Sequence, residues 1–168
     1  MRALATVLLA VVLTPVSAFS QSDLKSLVLK HLKTSEDFTV KVAEAMPASS
    51  YDFKLTAPQL SFGEQLVHLS QGFDYILSPF FSEKPNPPKP KSTSKEDIIA
   101  FVKSSFDRAI NRISGLTPEQ LSKTYKSEGY TESGQDLLLG VLDHTTHHRA
   151  SAEMYLRAKG ITPPEYEF

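Results

Sequence analysis

The chain has 168 residues, 40% of them apolar, a formal net charge of −1 and no cysteine. That length fits one domain with a packed core. Near-neutral charge without a basic tract excludes nucleic acid as the main partner, because phosphate binding needs concentrated Lys and Arg. The absence of cysteine excludes disulfides, cysteine-based zinc sites, thiol nucleophiles and a lipobox anchor.

Residues 1–20 read as an export signal. Arg2 precedes an apolar run from Ala3 to Leu13, Pro15 breaks it, and small residues follow. The run is about half the length that spans a bilayer as a helix. Cleavage is expected after Ala18 or Ser20; the alternative is an uncleaved anchor. Residues 21–168 then form one domain, periplasmic or secreted, with no membrane association once the signal is removed.

The first helix is expected from about Asp23 to Met46, with Leu24, Leu27, Val28, His31, Phe38, Val42 and Met46 on one face, and Pro47 stops it. A connector rich in turn residues leads to a second helix entered at Ser61, where Ser61 and Glu64 fit a capping box. Its stripe is Phe62, Leu66, Leu69, Phe73, Ile76, Leu77 and Phe80. Ser82 to Ser94 is proline- and lysine-rich and reads as an extended, exposed linker. The third helix is expected from Lys95 to Ile113, with Thr93 and Glu96 as its cap pair. A looser segment follows, in which Thr117-Pro118 starts one short turn. The fourth long helix runs from about Asp136 to Lys159, closed by Gly160. No strand alternation competes, so the fold class is all-α, a four-helix bundle.

Three of the five histidines fall within His144, His147 and His148. At about 100° per residue, His144 and His148 share the centre of the inward stripe with Leu137, Val141 and Tyr155. Four apart, their imidazoles stack one turn over the other and can ligate one metal ion. The competing reading is a polar ledge or a hydrogen-bonded pair of core histidines. His147 lies about 60° off that centre; it could replace one of the pair but suits a flanking position better. His68 falls at the edge of its own helix's stripe and reads as partly exposed, beside Gly72, which leaves space over that turn. His31 reads as a semi-buried histidine. Thr145 and Thr146 stand where a zincin carries its catalytic glutamate, so the metalloprotease base is missing. Glu64, Asp74 and Glu153 are the nearest carboxylates, none well placed by helical phase. Arg149 and Arg157 are expected at the surface, with steering of an anionic substrate as the alternative.

Two blocks carry a family resemblance. EAMPASSYDFKLTAPQLSFGEQLVHLSQ (44–71) resembles the first half of a DinB/YfiT-like domain, with S-F-G-E followed by a histidine. LLLGVLDHTTHHRASAEMYLRAKGITPPEY (137–166) resembles its second half, with H-x-x-x-H-R, then Y-L-R and G-x-x-P-P. The resemblance implies an antiparallel four-helix bundle, often a homodimer, and a divalent metal held by His68, His144 and His148. Three neutral imidazoles suit zinc or nickel and leave a position open to water or a thiol. It therefore implies a metal-dependent transferase or hydrolase acting on an unidentified small molecule, or a non-catalytic metal- or ligand-binding bundle. Ala150-Ser151 stands where the family often has Gly-Gln, which removes an amide next to the ligand pair.

Overall fold

The computed structural model describes residues 21–127 and 129–166; the expected signal segment lies outside them. Four long helices carry the fold: α1 (Gln21–Ala45), α2 (Phe62–Leu77), α3 (Lys95–Ser114) and α5 (Gly134–Ala158). A short α4 (Pro118–Ser122) and a hairpin, β1 (Thr124–Ser127) with β2 (Tyr130–Ser133), lie between α3 and α5. None of the described helices is long and apolar enough to cross a membrane.

The apolar stripes meet in one core. Phe38 and Leu32 of α1, Phe62, Leu66 and Leu69 of α2, Phe106 and Ile113 of α3 and Leu138 of α5 are all fully buried. Such burial stabilises by about 1.5–3 kcal/mol per large side chain. Each long helix packs chiefly on two others, in the cyclic order α1, α3, α2, α5. Consecutive α1 and α2 therefore occupy opposite corners.

Contacts at the helix ends give the directions. Lys95, at the start of α3, donates to the carbonyls of Glu44 (2.7 Å) and Met46 (2.8 Å) at the end of α1. Lys25, near the start of α1, reaches Ser114 O (3.2 Å) and Leu116 O (2.9 Å) beyond the other end of α3. Both lysines satisfy carbonyls that a helix terminus leaves open. These two helices are antiparallel, as are α2 and α5, since Tyr155 Oη donates to Leu60 O at 2.5 Å. By contrast, Phe73 stacks on Phe106 and Asp74 pairs with Arg112, so α2 and α3 run in the same direction.

The expectation of an antiparallel, all-α bundle is thus corrected in two respects. Only two of the four neighbouring pairs are antiparallel, because the segment after α2 returns along that helix before α3 begins. Asn86 N donates to Asp74 Oδ2 (2.6 Å) and Gln71 Nε2 to Pro88 O (3.0 Å), which lays the proline-rich segment back on α2. The hairpin is the second difference. Its four residues per strand show too few alternations to stand out, and the turn depends on Gly129 at φ 88°, a conformation glycine adopts without steric cost. The α3 cap also differs: Ser94, not Thr93, accepts from Asp97 N at 3.2 Å.

At α2 the expected capping box is present. Ser61 Oγ accepts from Glu64 N (3.3 Å), and Ser61 N donates to Glu64 Oε2 (2.7 Å). Losing such a cap costs about 1 kcal/mol. Ser61→Ala is expected to lower the melting temperature by a few degrees, measured by circular dichroism. An unchanged melting temperature would show that the box contributes nothing to stability.

Candidate metal centre

Helices α2 and α5 cross closely because of a glycine. Gly72 is buried, and a Cβ there would overlap the His144 imidazole, Nε2 foremost. His144 is half-buried from α5, while His68 projects from the exposed edge of α2 four residues before Gly72. His148 follows one turn after His144. The centroids of His144 and His148 are 4.4 Å apart, those of His68 and His148 4.6 Å, and those of His68 and His144 5.8 Å. Three imidazoles from two helices therefore share one small volume. His147 is exposed and flanks the group, its ring 4.8 Å from that of His148. His31 lies apart, on the α1 side of α5.

Charge favours neutral rings here. Burial, then the neighbouring His144 and His68, pushes His148 down from 6.5 to about 4. Burial likewise lowers His144, with His68 adding to it. Imidazoles held neutral near pH 7 keep a lone pair for a cation.

Sequence reasoning passed over Gln65. It is buried on α2, and its Nε2 lies 2.7 Å from His148 Nδ1. As placed, the amide donates to the Nδ1 lone pair. A half-turn of the amide would let its oxygen accept Nδ1–H, the tautomer that frees Nε2 for a ligand role. The only sequence signal was its position one turn before Leu69 on the buried side of α2. His144 Nε2 is buried against the α2 backbone at Gly72 and makes no well-formed hydrogen bond among the described residues, while the Leu69 and His68 backbone favours a proton on the ring. The donor set suits zinc or nickel once that ring turns. The aim of the rings is less complete: no group of three or more His, Cys, Asp or Glu among the described residues is disposed to enclose an ion as it stands. His68, being exposed, is the ring with most freedom to turn.

His68 also borders a cavity of about 640 Å³. Tyr51, Val67, Ile98 and Pro90 form its apolar wall, while Glu64, Gln71 and Asp52 bring polar groups. The proline-rich segment thus builds one side of the cavity rather than only joining two helices. Glu64 is committed to the α2 cap, and its hydrogen bonds to the Ser61 backbone and hydroxyl lower its pKa. Asp74 pairs with Arg112 at 3.7 Å. Ser151 Oγ donates to its own helix at His147 O (2.9 Å). Arg157 is exposed as expected, whereas Arg149 is not: only 4% of its surface is accessible.

The fold and these residues place the chain in a known class. The DinB family model matches residues 19–168, and the chain belongs to that family. Among solved structures it is similar to a DinB-like protein of Bacillus cereus ATCC 10987, with 19% identity and a TM-score of 0.72 over 83% of this chain and 95% of that one. The DinB-like YjoA of Bacillus subtilis shares 20% identity with a TM-score of 0.68, covering 83% and 96%. YfiT of Bacillus subtilis, described as a probable metal-dependent hydrolase with an unusual four-helix bundle topology, shares 16% identity with a TM-score of 0.65, covering 89% and 94%. None of the curated proteins compared matches the chain.

Replacing glycine by alanine within a helix ordinarily stabilises it by about 1 kcal/mol. At Gly72 the added methyl falls on the His144 ring, and overpacking typically costs about 1–3 kcal/mol. Gly72→Ala is therefore expected to lower the urea midpoint, with a shifted His144 ring signal by NMR; a raised midpoint would contradict so close a crossing.

The depressed histidine values also fix a sign. Below 6.5 the unfolded chain binds protons that a folded His148, held at about 4, does not. The metal-free protein should be fully stable above 6.5 and lose stability as pH falls toward 4. His148→Asn should flatten that fall in urea titrations. An equal slope in both proteins would show that His148 does not titrate as its burial requires.

Proposed function

We propose that this is an exported DinB-family protein that binds one divalent cation, zinc or nickel, through His68, His144 and His148. We further propose that it acts as a metal-dependent transferase or hydrolase on a small molecule outside the cytoplasm. The observation that carries this reading is three imidazoles from α2 and α5, 4.4–5.8 Å apart by ring centroid, beside a cavity that His68 itself borders.

When bound, the cation would supply a Lewis acid able to polarise a substrate oxygen or a thiol. The chain's own groups supply the setting. Gln65 orients His148 through Nδ1, and Gly72 admits His144 to the α2 surface. Tyr51, Ile98 and Pro90 exclude water from one side of the cavity and give a substrate an apolar resting surface. Glu64 is a weak proton acceptor, because its hydrogen bonds to Ser61 favour the ionised form.

A non-catalytic metal- or ligand-binding bundle is the second reading. It is favoured by the orientation of the rings: His148 Nδ1 receives Gln65, His144 Nε2 faces the backbone at Gly72, and the three rings must re-aim to share an ion.

Metal content of the tag-free mature protein, measured by mass spectrometry beside His144→Ala and followed by turnover assays on the same samples, separates these readings. About one zinc or nickel per chain is expected, lost in the variant. Absence of metal after reconstitution with both ions would sink the three-histidine site. Stoichiometric metal without turnover of ester, amide or thiol-transfer substrates would favour the binding role.

A further inference from the structure

A second cavity, of about 240 Å³, opens between α1 and α5. Arg149 lies in its wall. Its side chain is among the most buried charged groups of the protein, at 4% exposure, yet Nε and Nη1 have no hydrogen-bond partner among the described residues. The Phe38 ring lies 4.6 Å from the guanidinium carbon. That cation–π contact is worth only a fraction of what desolvating a guanidinium costs. The carboxylate whose charge reaches it does not make up the difference. Glu153, one turn along α5, acts on Arg149 through its charge and makes no hydrogen bond to either of those two nitrogens.

The rest of the wall has the chemistry of a receptor. Ser35 of α1 and Thr146 of α5 bring hydroxyls to it and His31 an imidazole, while the Thr34 hydroxyl donates to Lys30 O (3.4 Å). Leu142 and the Tyr166 ring give it an apolar side. A buried cation with two nitrogens unbonded among the described residues, beside the Ser35 and Thr146 hydroxyls and an apolar flank, matches an anion with a short apolar body.

We infer that the α1–α5 cavity binds a small monocarboxylate, with Arg149 holding the carboxylate and Leu142 and Tyr166 its apolar part. One fixed positive charge balances one carboxylate and leaves a phosphate dianion undercompensated. Guanidinium and carboxylate are both planar and pair through directed N–H donors. The cavity falls below the size usual for drug-sized ligands, which limits the occupant to a small acid. Arg149 follows His148 directly but turns to the other side of α5, so this site stands independently of whether the histidines hold a metal.

Calorimetric titration with acetate, butyrate and benzoate tests the inference, with inorganic phosphate as the control anion. Saturable binding of at least one carboxylate is expected, weakened roughly 10- to 100-fold in Arg149→Gln. Thr146→Glu places a carboxylate one turn from Arg149 on the same helix. It should abolish binding and raise the melting temperature without ligand. Metal content should not change in that variant, which separates this result from the fate of the histidine site. No saturable binding of any of the three acids would overturn the inference. So would equal affinity in a folded Arg149→Gln, or a preference for phosphate. If Arg149→Gln does not fold, Thr146→Glu decides: binding that persists there overturns the assignment.

Discussion

The contact on which the site depends is that of His144 with the backbone of α2 at Gly72. A side chain larger than hydrogen at Gly72 would push the imidazole away, and with it the crossing of α2 and α5. Because the helices meet there, His148 falls within reach of Gln65, and His68 stands beside both α5 histidines. A one-atom gap in α2 thus sets where two helices cross and where three imidazoles gather. Stability and chemistry share the same few cubic ångströms, so a substitution made for either alters the other.

The unusual helix order follows from the segment between α2 and α3. A short loop would have forced these neighbours to be antiparallel. The proline-rich return along α2 lets them run together, held through Asp74 and Gln71. Prolines suit this path, since it uses few of the backbone donors they lack and their fixed φ limits the freedom lost on ordering. The compact α4 and hairpin between α3 and α5 close the other end, with Tyr125 buried against Phe80.

The long helices were readable because periodicity is a local property. The stripe through Phe62, Leu66, Leu69 and Phe73 lies buried as its spacing requires, and Ser61 announced its own cap. Helix directions were not readable, since they depend on where a linker lies rather than on what it contains. The hairpin was missed because two four-residue strands carry little pattern. Within the site, the phase of His144 and His148 was visible along one helix. His68 was not, because helical phase puts it at an edge, and only the family motif joined it to the others. Arg149 shows the reverse error. An arginine is ordinarily a surface residue, and nothing in its neighbours along the chain signals that Phe38 of α1 packs against it.

The wall contributed by Pro90 and Thr93 differs in kind from the rest of the large cavity. The helical walls are fixed by core packing, so reshaping them disturbs the bundle. The return segment belongs to no helix or sheet and is tethered to α2 at a few points. Lengthening a loop is cheap, at about 0.6 kcal/mol for each doubling of its length. A bundle of this design can therefore diverge in what it admits by redrawing a single stretch of connecting chain, while the residues beneath stay as they are.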